Sequence, residues 1–508
     1  MKQSNRTSKA FQGIVTGILQ YVFTIILQFA LAPLILKHGG SDVLGAYSFL
    51  MQMVSWAALT DLGFGVAVGR YLAQAIGVDD DHQQFSKVFT TGRTFYIISN
   101  LVFAIIILVF NFTLEKFLIT SSKIAAQAHY SLILLALWIV IRTPLSLYND
   151  ALIATQNLSR VNIITTIGAI VRLSLSLIFV LFGADLIGLM LANIISELIT
   201  YVLCFFYYHK LYPNDRFSWG IPDKNLFKQM LGFGFSYMIV MLSGRLSTNT
   251  DSIILGVLYG TSAVSIFYTS QMPGTMLYQM IWKIVDNSAP AINELHAKNL
   301  KLQLVNVYIR LLRYSLIFVL PLAFGLIVFN KAAITLWVGQ VQYAGNVFTI
   351  SLAIFSITQV VIHLNCIFLI AYGKINTMSS FFLISSVTKV VISYLLARSI
   401  GIKGIMIASM IVDIIALIYF NYYVWKILNI SVRSIIINTV LPSLKTAIFP
   451  FVIIPVLLFS PPITSWLPFV FSVSFFGFSW LIGAIVVGLS RNERELIIIF
   501  IKSKINFL

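Results

Sequence analysis

Charged residues are scarce in this sequence. They make up 10% of its 508 residues, whereas 59% are hydrophobic and the mean hydropathy is +0.92. A soluble protein of this length would have about a quarter of its residues charged. Apolar runs of about 20 residues, each long enough to cross a ~30 Å hydrocarbon core, recur along the whole sequence. The sequence therefore predicts an all-α integral membrane protein with about 14 transmembrane helices.

Residues and motifs that carry common enzymatic chemistry are also few. The two cysteines, Cys204 and Cys366, lie within predicted spans, so neither a disulfide framework nor a metal cluster is expected. The six histidines show no metal-ligand spacing. There is no glycine-rich phosphate loop followed by Lys-Ser/Thr, and no nucleophile elbow. We expect no catalytic residues, no metal and no cofactor, and we predict a secondary transporter rather than an enzyme.

The distribution of lysine and arginine predicts the topology. The predicted spans are roughly 12–36, 45–69, 92–113, 128–150, 161–182, 187–208, 234–256, 264–288, 306–329, 345–370, 378–399, 403–424, 442–460 and 468–489. With the N-terminus inside, the extracytoplasmic segments contain only Lys37, Lys116, Lys123, Lys331, Arg398 and Lys403. This bias places both termini in the cytoplasm, and it explains most of the net charge of +17 without a nucleic-acid partner.

Two stretches, 154–197 and 371–413, are copies of one another. At an offset of 217 residues Lys389 falls on Arg172, and after a one-residue loop deletion Asp413 falls on Glu197. Each copy is a pair of apolar helices with one cation in the first helix and one carboxylate in the second. The co-registered charges indicate a true repeat rather than a chance likeness of apolar helices.

The repeat extends to the segments 40–47 and 260–267, at an offset of 220 residues, so spans 1–6 correspond to spans 7–12. Six is an even number, so both halves cross the membrane in the same direction, as in transporters whose substrate site lies between parallel repeats. The predicted organisation is an N-lobe at 1–208, a cytoplasmic linker at 209–230, a C-lobe at 231–426, two further spans at 427–490 and a cytoplasmic interfacial tail at 491–508.

Five cations lie within or at the edges of spans. A cation at the centre of a span costs about 2.5–3.5 kcal/mol on insertion scales, so it faces a partner or a water-filled cavity. Together they predict a cavity that binds an anion, and the planar fork of arginine suits a phosphate. The alternative is that each cation pairs with Glu197, Asp251, Asp286 or Asp413 and fixes helices together. The five are Arg172, Arg245 and Lys389 near the midplane, and Arg142 and Lys283 closer to the cytoplasm.

Three acidic residues, Glu197, Asp413 and Asp251, are candidates for ion coupling. Burial raises the pKa of a carboxyl group and a nearby cation lowers it, so such groups can bind a proton or a sodium ion. The alternative is that Glu197 and Asp413 neutralise the repeat-related cations. Asp251 is not expected to pair with Arg245, because six residues separate the two by about 120° around an ideal helix.

Span 1 has a polar stripe on one face, which Gly17, Gln20, Thr24 and Gln28 form at helical spacing. This stripe would be costly against lipid, so it faces either a cavity or another helix. Hydrogen-bonding side chains there suit sugar hydroxyl groups. Close helix packing through Gly17 and Gly13 is the alternative.

Two short motifs of the N-terminal half carry a family resemblance. The first is Leu44–Ser48, and the second is Asp61–Gly65 followed by Arg70. Both resemble the polysaccharide or O-antigen (Wzx-like) flippases of the multidrug/oligosaccharidyl-lipid/polysaccharide exporter superfamily. Within the second motif the characteristic positions are Asp61, Gly63, Gly65 and Arg70.

This resemblance implies two six-helix lobes in a V around a cavity that opens alternately to either side. The implied function is ion-coupled translocation of an undecaprenyl-pyrophosphate-linked oligosaccharide to the periplasmic leaflet of the bacterial inner membrane, for O-antigen, capsule or exopolysaccharide synthesis. A proton or sodium gradient would drive it. The implied partners are the lipid-linked oligosaccharide, membrane lipids, and a polysaccharide polymerase with its chain-length machinery.

Three other functions have sequence features against them. The related lipid II flippases typically have arginines in span 1, whereas this sequence has none between Arg6 and Lys37. Drug/cation antiporters of the same superfamily usually have twelve spans and an acidic cavity, and this interior is rich in cations. A membrane-embedded glycosyltransferase or polymerase would need a sizeable extramembrane segment with paired carboxylates, and the run Asp79–Asp81 is better explained as a solvated loop.

Overall fold

The computed structural model describes residues 2–57, 68, 71–72, 82–114, 120–155, 157–212, 221–458 and 463–488. Their regular secondary structure is entirely helical. The first half contains α1 (Lys2–His38), α2 (Gly40–Ala57), α3 (His82–Asn111), α4 (Ser122–Ala154), α5 (Leu158–Leu181) and α6 (Asp185–Leu211).

The second half continues with the same kind of long helix. It contains α7 (Lys224–Tyr259), α8 (Thr261–Asp286), the short α9 (Ala289–Ala297), α10 (Lys301–Val338), α11 (Asn346–Ala371), α12 (Ile375–Ile400), α13 (Ile402–Leu428), α14 (Val432–Ile435), α15 (Leu441–Leu458) and α16 (Trp466–Gly483). A 3-10 turn at Gln340–Gln342 precedes α11, and π-helical turns at Ile436–Val440 and Ala484–Gly488 precede α15 and follow α16.

Eleven helical segments among the described residues are long and apolar enough to cross a membrane. The other three predicted spans, 45–69, 234–256 and 264–288, overlap α2, α7 and α8, which are not among the eleven, and most of 58–69 lies outside the described residues. The prediction of an all-α, multi-pass membrane protein is confirmed. Because every backbone N–H and C=O needs a partner in hydrocarbon, long unbroken helices are the expected solution for this composition.

The chain forms two compact units, Met1–Tyr268 with Ser379–Arg398, and Thr269–Met378 with Ser399–Leu508. In the first unit α5 packs against α1 and α6, and α4 packs against α3 and α6. In the second unit α10 packs against α11, α15 and α16, and α11 packs against α13. The α4–α6 contact of the first unit thus recurs as the α11–α13 contact of the second.

The repeat-related segments 40–47 and 260–267 meet within the first unit. Asp42 accepts hydrogen bonds through Oδ1 from the hydroxyl groups of Thr261, at 2.7 Å, and Ser262, at 2.6 Å. Gly45 lies so close to Thr261 that a Cβ atom added to it would be 1.7 Å from the Thr261 carbonyl oxygen. The glycine of the Leu44–Ser48 motif is therefore required for the approach of α2 to the start of α8.

A proline removes one backbone hydrogen bond from α10, and α16 supplies a donor in its place. Pro321 has no N–H, so the carbonyl of Ile317, four residues earlier, has no intrahelical donor. The indole Nε1 of Trp480 donates to that carbonyl at 2.9 Å. Ser443 donates in the same way to the carbonyl of Arg313, at 3.3 Å. These two bonds attach the last two spans to α10.

A side chain also caps the start of α7. The Asp223 carboxylate accepts hydrogen bonds from the backbone amides of Asn225, at 2.9 Å, and Leu226, at 3.0 Å. The bonds from Leu226 and Asn225 hold the pKa of this carboxyl group below its usual value, because they stabilise the charged form. This cap lies within the stretch 209–230 that the sequence predicts as a linker.

Replacing Gly45 with alanine should destabilise the first unit, because the new Cβ would overlap the Thr261 carbonyl and force α2 and α8 apart. Overpacking of this kind costs about 1–3 kcal/mol and occasionally more. The measurement is the fraction of purified, detergent-solubilised protein that stays monodisperse after heating. Gly477→Ala is the matched control, since no atom lies within 4 Å of a Cβ added there. Equal heat resistance of the two variants would contradict the close approach.

Candidate functional site

In the first unit a carboxylate and a cation from the candidate set form an ion pair. Glu197 on α6 lies 3.6 Å, through Oε2, from the guanidinium of Arg142 on α4. Trp138, one turn before Arg142, donates its indole N–H to the same oxygen at 2.7 Å. Asn193 donates to the other oxygen, Oε1, at 3.4 Å. Glu197 is therefore neutralised by an arginine and held by two further donors.

In the second unit the repeat-related carboxylate has a different partner. Asp413 on α13 is buried and accepts a hydrogen bond from the Gln359 amide nitrogen on α11 at 2.6 Å. The hydroxyl of Thr358 donates to the same oxygen, Oδ2, at 3.4 Å. At the 217-residue offset that aligns α4 with α11, Gln359 falls on Arg142. The helix contact is repeated, but an amide stands in the second unit where an arginine stands in the first.

The structure brings Lys389 and Asp251 together, although the sequence assigns them different roles. Lys389 on α12 donates to Asp251 Oδ2 on α7 at 2.8 Å, and also to the backbone carbonyl of Ser247. The two side chains are 3% and 4% exposed, so this is a buried ion pair. For Lys389, as for Arg142, the structure matches the alternative in which a cation pairs with a carboxylate.

Two more of the five candidate cations, Arg245 and Arg172, have no acidic partner among the described residues. Arg245 on α7 donates from its guanidinium to the hydroxyl of Ser55 on α2, and not to Asp251. Arg172 on α5 is half-buried and makes no hydrogen bond or ion pair with any described residue. It is close enough to Tyr47 and Tyr268 to act on them electrostatically.

The fifth cation, Lys283, has an exposed side chain near the end of α8. A cluster of polar and aromatic side chains joins the end of α8 to α11. His363 Nε2 contacts Asp286 Oδ1 at 2.7 Å, and its ring stacks on Trp282 with the ring centres 4.4 Å apart. Trp282 in turn donates to the Gln359 carbonyl at 3.1 Å. Aromatic and amide partners of this kind were not predicted, although the repeat alignment of Gln359 with Arg142 could have identified one of them.

The polar stripe of α1 contacts α5 at one end. A Cβ added to Gly17 would lie 3.3 Å from the amide nitrogen of Asn162, and that nitrogen donates to the Thr16 hydroxyl at 3.1 Å. Thr24 donates to the Gln20 carbonyl within the helix at 2.8 Å. Gln20 and Gln28 are half-buried. Helix packing accounts for Gly17, and sugar contacts at Gln20, Thr24 and Gln28 stay a prediction.

The second family motif lies outside the part of the chain that the structure describes. This concerns Asp61, Gly63, Gly65 and Arg70. The first motif is described, and its glycine, Gly45, has the packing role given above.

Comparison with known proteins decides the family. Residues 5–296 match the family described as "Polysaccharide biosynthesis protein". The chain belongs to this polysaccharide biosynthesis protein family. The match covers more than half of the sequence and includes both short motifs as well as Arg142, Arg172 and Glu197.

Solved structures similar to this polysaccharide biosynthesis protein are transporters. One is the inward-facing conformation of a multidrug resistance MATE family transporter of the MOP superfamily, at 15% identity and a TM-score of 0.70, covering 82% of this chain and 98% of that one. Another is a MOP superfamily transporter from Pyrococcus furiosus, at 16% identity and a TM-score of 0.61, covering 82% and 95%. No curated protein matches the sequence. The fold is that of MOP superfamily transporters.

Replacing Gln359 with leucine should destabilise the second unit. The variant deprives the buried Asp413 carboxylate of a 2.6 Å donor, and a lost hydrogen bond to a charged group costs about 1.5–3 kcal/mol. Thermal unfolding of the purified protein in detergent measures this effect. Gln340→Leu, at an exposed glutamine, is the control. If the Gln359 variant unfolds at the same temperature as the control, the hydrogen bond does not contribute to stability.

Proposed function

We propose that this protein is a flippase that moves undecaprenyl-pyrophosphate-linked oligosaccharide units across the bacterial cytoplasmic membrane, with both termini in the cytoplasm. The observation that carries the proposal is the state of Arg172. It lies in the middle of an apolar span, it is half-buried, and no described residue neutralises it. A membership in the polysaccharide biosynthesis protein family supports a glycan-linked cargo.

An arginine without a counter-ion in a span costs free energy, and an anion that binds there would offset this cost. A guanidinium group offers parallel N–H donors that match two phosphate oxygens, and such charge-assisted pairs are about twice as strong as neutral hydrogen bonds. Tyr47 and Tyr268 add phenol groups within electrostatic range. Arg172 is thus the primary pyrophosphate contact. In the first unit, Arg245 is a further candidate for the headgroup, and the half-buried Gln20 and Gln28 are candidates for its sugars. Lys283, in the second unit, is a separate candidate for anion binding.

A proton gradient is the proposed driving force, and Asp413 is the proposed coupling group. Its partner Gln359 carries both an amide donor and a carbonyl acceptor, so it can hydrogen-bond to a carboxylate and equally to a protonated carboxyl group. Arg142 and Lys389, the partners of Glu197 and Asp251, are donors only. Gln359 can therefore also accept the O–H of a protonated Asp413 carboxyl group, which neither Arg142 nor Lys389 can do for its own partner.

Replacing Arg172 with glutamine should reduce transport in liposomes that contain a labelled undecaprenyl-pyrophosphate oligosaccharide. Truncating one partner of a buried charge pair costs about 2–5 kcal/mol, so we expect transfer between leaflets to slow by at least about tenfold. Arg160→Gln is the matched control, because Arg160 lies on the same helix with an exposed side chain. Wild-type transfer by the Arg172 variant would refute the proposed site.

Replacing Asp413 with asparagine should abolish the response of transport to an imposed pH gradient, because a side-chain amide is not protonated near neutral pH. Wild-type protein should transfer the labelled lipid faster with the gradient than without it. The Asp413 variant should transfer it at one rate in both conditions. Glu294→Gln, at an exposed glutamate on α9, should behave like wild type. A gradient response that survives in the Asp413 variant would assign coupling elsewhere.

Multidrug transport is the second candidate function, because one similar structure is described as a multidrug resistance MATE family transporter. A cationic drug would be repelled by Arg172 and Arg245, which have no acidic partner among the described residues. The same liposomes can be loaded with ethidium. Gradient-driven ethidium transport, without transfer of the lipid-linked oligosaccharide, would favour the drug transporter.

A further inference from the structure

The buried ion pair between Lys389 and Asp251 contains one more hydrogen-bond donor than it uses. An ammonium group has three N–H donors. Among the described residues, Lys389 directs two of them, to Asp251 Oδ2 and to the Ser247 carbonyl. The third donor has no acceptor among these residues. This third N–H is therefore available to any further acceptor that approaches the ammonium group.

The carboxylate of the pair accepts fewer hydrogen bonds than a purely structural ion pair needs. A buried ion pair compensates its desolvation only when further hydrogen bonds satisfy the remaining groups. Asp251 accepts from Lys389 alone among the described residues. The amide nitrogen of Asn249, the hydroxyl of Thr250 and the hydroxyl of Ser393, one turn after Lys389, are buried and have no hydrogen-bond partner in the described part of the chain. Both helices of the pair, α7 and α12, thus contain buried polar groups that a polar ligand could satisfy.

The internal repeat shows that the pairing is specific to one copy. Lys389 on α12 occupies the position of Arg172 on α5, which has no counter-ion among the described residues. At the 220-residue offset that aligns α1 with α7, the residue equivalent to Asp251 is Leu31. One copy therefore presents an available cation, while the other has an equivalent cation together with its own carboxylate.

We propose that Asp251 is an internal counter-anion that competes with a phosphate group of the cargo for Lys389. This inference rests on the proposed function, since it needs an anionic cargo. When phosphate reaches the pair, the Lys389 ammonium moves from Asp251 Oδ2 to a phosphate oxygen. When the cargo leaves, Asp251 takes the ammonium back. No covalent bond changes, and only the acceptor of one N–H donor is exchanged.

Lysine is suited to this exchange. Its ammonium is a point charge on a flexible four-carbon stem, so it can turn between two acceptors, whereas the arginine fork favours one fixed bidentate geometry. The competition has a function in transport, because a site that binds its cargo too firmly releases it slowly. Arg172 would capture the phosphate, and the Lys389–Asp251 pair would limit the strength with which it is held.

The test is binding of farnesyl pyrophosphate, a short polyprenyl pyrophosphate, to the full-length protein in detergent. Asp251→Asn removes the competing charge and keeps an oxygen that can accept from Lys389. A neighbouring charge commonly changes the affinity of a group for a proton by about 10- to 1,000-fold, so we expect farnesyl pyrophosphate to bind at least about tenfold more tightly. Inorganic pyrophosphate should show the same gain, and uncharged farnesol none.

Two further variants exclude a purely structural role. Adding Lys389→Gln to Asp251→Asn should cancel the gain, because no ammonium is left to release. Asp251→Ser, which leaves room for a water molecule beside Lys389, should tighten binding as Asp251→Asn does. In liposomes, Asp251→Asn should slow transfer of the labelled oligosaccharide lipid despite the tighter binding, since release is then hindered.

Each outcome separates this inference from the proposed function. Wild-type affinity in a folded Asp251 variant, with binding that still depends on Arg172, would overturn the competition and leave the flippase proposal intact. Loss of folded protein in Asp251→Asn and Asp251→Ser, with recovery in the double variant that also has Lys389→Gln, would show that the ion pair has a purely structural role. That result would also overturn the proposed competition. Absence of farnesyl pyrophosphate binding by the wild type, or binding unaffected by Arg172→Gln, would contradict the proposed function and this inference with it.

Discussion

The cost of a charge in hydrocarbon is the constraint on which this structure depends. Every charged side chain within a span has to be neutralised, hydrated or held for a ligand. Arg142 and Glu197 meet this constraint with each other, and Lys389 meets it with Asp251. Asp413 meets it with an amide and a hydroxyl donor. Arg172 makes no hydrogen bond or ion pair with a described residue, which is why the proposed phosphate contact is assigned to it.

One helix contact of the sequence repeat occurs in both units, and single positions give its two copies different chemistry. The carboxylate on α6 has an arginine against it and the carboxylate on α13 has a glutamine. Lys389 on α12 pairs with Asp251 on α7. In the other copy of the repeat, the position on α1 that corresponds to Asp251 is Leu31. Because the α4–α6 and α11–α13 contacts correspond, the exchange of arginine for glutamine changes the charge beside the carboxylate without requiring a different helix contact.

The sequence predicts the local features of the fold well and the pairing of side chains poorly. Apolar runs depend on residues close together in the chain. The register of Arg172 with Lys389 follows from aligning two stretches of the sequence. Both can therefore be predicted without a structure. The Lys389–Asp251 bond joins α12 to α7, and the Trp138–Glu197 bond joins α4 to α6, so both depend on which helices are neighbours and how each is rotated. Partners such as Trp138 and Gln359 also lack a charge that would single them out.

An ion pair that is both buried and incompletely hydrogen-bonded is informative for a transporter. Replacing a buried pair by apolar residues is often neutral or stabilising, so stability alone is a weak reason for its presence. The Lys389–Asp251 pair joins two spans of the same unit, and polar groups without partners among the described residues lie on both of its helices. Its two charges cancel while the site is empty, so the empty protein carries one unneutralised cation fewer in the membrane. In the proposed competition, an arriving phosphate meets a cation whose charge Asp251 already partly neutralises, and such a site suits a cargo that must be released as well as bound.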